Sequence, residues 1–216
     1  MTENVAEVWW SMTLKSERSK VYFFNFFRSF LVFAIIGTVM GCMSEPKTYA
    51  YSIIVAGGPS GWPIWVEEVT LNGSRRVPAG AISYGYNQTP PSGGRVFMEP
   101  SSAPEFVEAR WFSHRTGKFH EILLSMPEGF EESLNTWFDR YPTPAYRHYF
   151  IVGFSGKGEA LAWWRASCTD CENDQGSGFA VPIIISSPAQ TVEGDPSGYD
   201  VQVQYYIDKG VIPPVK

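Results

Sequence analysis

The sequence predicts an α+β domain: mainly an antiparallel sheet built from hairpins, with one principal helix, about residues 127–141, packed on it. Three observations predict it. Short runs rich in β-branched and aromatic residues recur along the chain between glycine, proline and asparagine turn signals. A single segment carries apolar residues at spacings of three and four. A content of 44% hydrophobic, 16% aromatic and only 18% charged residues belongs to a chain that buries a core.

Residues 49–56 (YAYSIIVA) read as a strand that stops at Gly57-Gly58-Pro59-Ser60-Gly61, a run that only a loop accommodates. Residues 64–71 (IWVEEVTL) partly alternate, and Asn72-Gly73 is the strongest two-residue hairpin signal, so a strand through 75–77 pairs back. Residues 80–86 give another short strand; residues 87–95 (NQTPPSGGR), with two prolines and two glycines, give a loop. Residues 106–113 (FVEARWFS) and 118–124 (KFHEILL) flank His114-Arg115-Thr116-Gly117 as a second hairpin. With 115–118 as its loop, His114 opposes Phe119 and His120 opposes Ser113.

The helical segment (PEGFEESLNTWFDRY) puts Phe130, Leu134, Trp137, Phe138 and Tyr141 on one face. Glu128, Glu131 and Glu132 fall in its first turns, where the helix dipole favours anions, and Pro142 and Pro144 end it. Residues 149–155 (YFIVGFS) and 159–165 (EALAWWR) then flank Gly156-Lys157-Gly158 as a third hairpin. Residues 179–186 (FAVPIIIS) and 199–207 (YDVQVQYYI) complete the strands, Pro182 confining the former to an edge or a strand start.

Ahead of this domain stands a leader. Lys15, Arg18, Lys20 and Arg28 precede an apolar stretch of 11 residues, 30–40, and Gly41 precedes Cys42. That is the n-region, h-region and cleavage site of a secretory signal, and it is too short to span about 30 Å of hydrocarbon comfortably. Extending the run back to Val21 makes an uncleaved membrane helix, but it puts Arg28 near the middle, at a cost of about 3 kcal/mol. Residues 1–11 add nothing a signal needs, which makes Met12 a candidate start. The expected organisation is a signal at 1–41, a tether at 42–48 and one globular domain at 49–216.

Val39-Met40-Gly41-Cys42 resembles a bacterial lipobox, in which the cysteine is acylated and the chain is cut before it. Several acyl chains anchor firmly, each buried CH₂ contributing about 0.8 kcal/mol. Met43 stands where an inner-membrane retention signal has Asp, so the expected address is the inner leaflet of the outer membrane, facing the periplasm. The formal charge is −5, and the leader's net +1 leaves −6 on the remainder. With no basic stripe to displace phosphate counterions, nucleic acid is excluded as a partner; a basic protein partner suits such a surface.

Chemistry-bearing patterns are few. Cys168 and Cys171 (CTDC) lie between strand candidates; in an oxidising periplasm they close a small disulfide loop. A thioredoxin-type site wants the pair opening a helix, and zinc wants a second ligand pair. Among three histidines, His114 and His120 straddle a hairpin and His148 stands apart. Gly153-Phe154-Ser155-Gly156-Lys157 approaches the nucleophile elbow, but Lys157 replaces the last glycine and the setting is strand to strand. No catalytic residue, metal ligand or cofactor is assigned, and the expectation is a protein that is not an enzyme. Packing accounts for Trp111, Trp137, Trp163 and Trp164; Trp62 and Trp65, beside the glycine loop, are candidate partner anchors, together with the loop from Asn87 to Arg95.

Val107-Glu108-Ala109-Arg110-Trp111-Phe112-Ser113 followed by Lys118-Phe119-His120-Glu121-Ile122-Leu123-Leu124-Ser125-Met126-Pro127 resembles a family of bacterial lipoproteins defined by a domain of unknown function. So does the glycine-linked pair of residues 149–154 and Leu161-Ala162-Trp163-Trp164. His120 stands where that family tends to have Tyr. Some lipoproteins of this kind are immunity proteins encoded beside lipase effectors of type VI secretion. The resemblance implies a lipid-anchored binder that neutralises such a toxin; a structural or housekeeping envelope lipoprotein is the alternative.

Overall fold

The computed structural model describes residues 47–171 and 178–214; the leader, Cys42 and the first residues of the tether lie outside the described residues. The elements run β1 (Tyr51–Gly58), β2 (Ile64–Leu71), β3 (Arg75–Arg76), β4 (Ala81–Ile82), β5 (Gly94–Val96), β6 (Phe106–Ser113), β7 (Lys118–Ser125) and α1 (Phe130–Arg140). They continue as β8 (Tyr146–Ser155), β9 (Glu159–Cys168), β10 (Gly178–Pro188), β11 (Gln190–Val192), a 3-10 turn (Pro196–Tyr199) and α2 (Asp200–Asp208).

The α+β class and the principal helix hold, but the strands form two sheets rather than one. The first has the order β10-β9-β8-β1-β5; the second has the order β11-β7-β6-β2-β3, with β4 also on β2. Their inner faces share one core. Ile53, Val55, Phe150, Val152, Phe154 and Trp164 come from the first sheet, and Ile64, Val66, Val69, Val107, Trp111 and Leu124 from the second. Trp111 Nε1 donates to the Ser155 carbonyl across that core at 2.9 Å, so the largest ring in the second sheet leaves no orphaned donor.

All three hairpins form. At the first, Asn72 (φ 51°) and Gly73 (φ 66°) both take left-handed conformations, as a type I′ turn requires. The second has a loop of the expected length but shifted back by one residue, to 114–117. Gly117 takes φ 64° and Lys118 already pairs with Ser113, so His120 opposes Trp111 and Phe119 opposes Phe112. The expected pairing of His120 with Ser113 is thus corrected by two residues, a slip that leaves each side chain on its face.

The mainly antiparallel scheme has one exception, because β1 and β8 pair in parallel from Tyr51↔His148 to Gly58↔Ser155. Both strands are buried almost throughout, the near-continuous apolar reading of a strand covered on two faces. β10 lies at the sheet edge, and its register slips immediately after Pro182, where the missing N–H does least harm. From there the chain passes directly into β11, which pairs with β7, so a single stretch links the edges of the two sheets.

α1 carries Glu131 and Glu132 in its first turn and starts after Gly129, slightly later than expected. It covers the inner face of the first sheet: Trp137 stacks on Trp164, and Phe138 stacks on His148 with 3.9 Å between ring centroids. His148 accepts from Trp164 Nε1 at Nδ1, and Nε2 lies 2.7 Å from the Tyr141 carbonyl. Nε2 therefore carries the proton, and the neutral ring pins the end of α1 to the sheet.

The segment expected as a last strand, 199–207, is helical. Asp195 accepts from the Ser197 N–H and Pro196 opens the turn that leads into α2, both helix-start signals. The Tyr-Asp-Val-Gln-Val-Gln alternation suggests a strand, yet Tyr199 and Tyr206 also recur at helical spacing. Tyr199 stacks on Phe112 (4.3 Å) and Tyr206 lies 5.0 Å from His114. Covering that exposed sheet face is what decides the conformation, tertiary packing overriding local preference.

Candidate functional site

One end of the sandwich is built from loops alone: residues 59–63 after β1, the turn 114–117 between β6 and β7, and the turn 156–158 between β8 and β9. Backbone hydrogen bonds lace them together. The Gly156 N–H donates to Gly58 O (3.2 Å), the His114 N–H to Pro63 O (3.2 Å) and the Trp62 N–H to Pro59 O (2.8 Å). A side chain at position 156 would lie 3.1 Å from Trp62 Cβ, so the absence of one is what lets the two loops meet.

Trp62 is the centre of this end. It is half-buried, and the Arg115 guanidinium and Lys157 ammonium sit 4.6 and 5.4 Å from its ring centroid, within cation–π range. Arg115 also donates to Gly61 O at 3.0 Å. The cations come from two different hairpin tips, so the cluster exists only in the folded chain. Of the three residues, only Trp62 has a sequence signal, its place beside the glycine loop.

Beneath the tips lies a buried polar layer of Ser113, His114, His120 and Ser155. Ser113 Oγ and both ring nitrogens of His114 and His120 have no hydrogen-bond partner among the described residues. Ser155 Oγ accepts from the Lys157 N–H at 3.1 Å, shaping the turn. Neither serine is hydrogen-bonded to a histidine among the described residues. Burial lowers the His114 pKa to about 4 and also lowers those of His120 and His148, keeping all three rings neutral near neutral pH.

The other sequence-derived positions do not join Trp62 on one surface. Trp65 projects from β2 on the outer side of the second sheet and packs at 6.2 Å against Tyr199. Arg95 lies on β5, opposite Ile54 in register, and its guanidinium is 4.6 Å above Tyr149 on the outer side of the first sheet. Trp65 and Arg95 thus stand on opposite faces of the sandwich. Asn87 is exposed in the loop that follows Tyr86, whose N–H donates to Gly57 O, which places it near the Trp62 end.

On the outer side of the second sheet a groove of about 710 Å³ runs past Glu68, Glu108, Arg110, Glu121 and Leu123. Arg110 spans it, donating to Glu67 Oε2 at 2.6 Å, to Glu121 and to Glu193 O. Arg76 pairs with Glu68 at 2.9 Å. Glu67, Glu68 and Glu121 thus neutralise arginines within the sheet.

Cys168 and Cys171 are joined in a disulfide, with Cα atoms 5.8 Å apart, at the end of β9. Among the described residues no group of His, Cys, Asp and Glu has metal-binding geometry, and no helix is long and apolar enough to cross a membrane. Comparison with protein-family models, with curated proteins and with solved structures finds no match to this chain.

Proposed function

We propose that this chain is a lipid-anchored, periplasm-facing protein that acts by binding, and that it neutralises a lipase effector of type VI secretion. The anchor reading rests on the leader and the lipobox-like Val39-Met40-Gly41-Cys42; the choice of toxin class rests on the family resemblance. The observation that carries the binding reading is Trp62 bracketed by Arg115 and Lys157 at a laced loop end. An aromatic ring with flanking cations, held before the partner arrives, is the composition of an interface hot spot, and pre-ordering lowers the entropy cost of association.

Occlusion needs affinity and nothing more. A nanomolar complex corresponds to about −12 kcal/mol, within reach of a standard interface with a few such anchors. Co-expression with a candidate lipase toxin exported to the periplasm tests the function: the intact chain is expected to restore growth. Trp62→Ala is expected to weaken the complex by about 2 kcal/mol, roughly thirtyfold, while the unfolding midpoint of the domain stays close to that of the parent. Growth arrest that the intact chain does not relieve overturns the immunity role. Unchanged affinity in Trp62→Ala moves the interface away from this end.

A further inference from the structure

The outer side of the first sheet combines apolar, aromatic and cationic side chains. Tyr149, Ile54 and Ile151 form a small apolar cluster there, with Trp163 packed against it. Arg95 and Arg165 lie over the Tyr149 ring at 4.6 and 5.8 Å. Arg147 is two residues before Tyr149 in β8 and therefore shares its face. Phe97, 75% exposed, follows β5 with the Arg95 guanidinium 5.9 Å above its ring.

Charge sets this face apart. The strands of the first sheet carry these three arginines and one carboxylate, Glu159, at the turn end of β9. None of the three is in an ion pair among the described residues, whereas on the second sheet Arg76 and Arg110 are, and Arg75 donates to the Glu99 carbonyl. In a chain of net charge −5, a face of unpaired arginines interleaved with Trp, Tyr and Phe is not explained by solubility.

We propose that this face rests on the anionic headgroups of the membrane to which the chain is tethered. Guanidinium groups with aromatic rings are the side chains that settle at a headgroup boundary, ring in the apolar margin and cation among phosphates. The tether agrees with that placement. Seven residues from Cys42 to Tyr49 reach about 25 Å when extended, and the Tyr51↔His148 register brings the chain in beside Arg147. The placement rests on the lipid-anchor reading and deepens it, leaving the Trp62 end free for a partner.

The test uses the acylated full chain in vesicles, with Ser52→Cys carrying an environment-sensitive dye. Ser52 opposes Tyr149 on this face, and Thr70→Cys on the second sheet is the control. The Ser52 dye is expected to shift blue on vesicles containing phosphatidylglycerol and to remain unshifted on phosphatidylcholine alone, with the Thr70 dye silent on both. Each arginine near an anionic surface raises partitioning about fivefold, so replacing all three with Glu is expected to reduce the association by at least about a hundredfold. Arg147→Glu alone, at an exposed strand position, is expected to give at least about a fivefold loss and added salt a graded one. A shift equal on both lipids, or one that survives the arginine replacements, overturns the proposal. So does a shift that requires an added protein, which assigns the face to that partner instead. The mass of the amino-terminal peptide reports the anchor separately. An unacylated Cys42 refutes the anchor, and the same labelled chain added from solution then answers the headgroup question by itself.

Discussion

Acidification from pH 7 to about pH 5 is expected to destabilise this domain through His114. The ring is 2% exposed and is caged by Phe112 (5.3 Å), Tyr199 (6.0 Å) and Tyr206 (5.0 Å). Its nearest cations by sequence are Arg115, turned toward Gly61 O, and Lys118, while α2 brings Tyr199, Gln202 and Tyr206 to this side of the sheet. Burial lowers its pKa from 6.5 to about 4, so between those values the unfolded chain binds a proton that the folded chain refuses. Stability from this group is therefore whole above pH 6.5 and is lost as the pH falls toward 4. The linkage relation gives a loss of about 2 kcal/mol near pH 5 and about 3 kcal/mol once both states are titrated. His120 and His148 shift the same way and add to the total. His114→Phe, which fills the cage without a titrating group, isolates the His114 share. Urea unfolding at the two pH values should show the variant losing about 2 kcal/mol less than the parent. An identical loss in both would refute the assignment of the proton to this ring.

Further outcomes follow from local geometry. A Cβ at position 93 would lie 1.9 Å from the Val55 carbonyl oxygen, whereas one at position 94 meets nothing within 4 Å. Gly93→Ala should therefore force β1 and β5 apart and cost at least about 3 kcal/mol, with Gly94→Ala near neutral in the same urea titration. The Cys168–Cys171 disulfide closes a very short loop, so its chain-entropy contribution is about 2 kcal/mol. The double Ser variant should lose that amount, and a reducing agent should destabilise the parent equally while leaving the variant unchanged.

Local turn chemistry explains which parts of this fold were legible in the sequence. Asn72-Gly73, His114 to Gly117 and Gly156 to Gly158 each specify a hairpin through residues that accept positive φ, and all three form. The partition into two sheets depends on distant pairings, and no local signal encodes them. β1 and β8 are about 95 residues apart in the chain; each reads as a buried strand, but nothing in either names the other. α2 departs from its local sequence pattern for a related reason. Its residues alternate like a strand, and only the rings of Phe112 and Phe119 on the outer side of the second sheet, buried in the folded chain, make the helical arrangement of Tyr199 and Tyr206 the better cover. Trp62 was visible as an aromatic residue beside a glycine loop, whereas its cations were not, because Arg115 and Lys157 come from separate hairpins. Grouping Trp65 with Arg95 failed because proximity in sequence says nothing about which side of a sandwich a strand presents.

That last point bears on how a tethered binder can be organised. A chain held to a bilayer by one end has its orientation set by whatever else touches the lipid, since an anchor at a single point limits distance but not rotation. If the arginine face lies against headgroups, rotation is fixed as well, and the laced loops around Trp62 are presented along the membrane surface, where a lipase must work. Orientation then contributes to protection without any added contact, because a toxin confined near the same bilayer meets its inhibitor at a raised effective concentration. The two proposals are separable on this ground. Replacing the three arginines should leave the affinity for a solubilised toxin unchanged and lower protection only in the membrane-bound setting, whereas Trp62→Ala should weaken both.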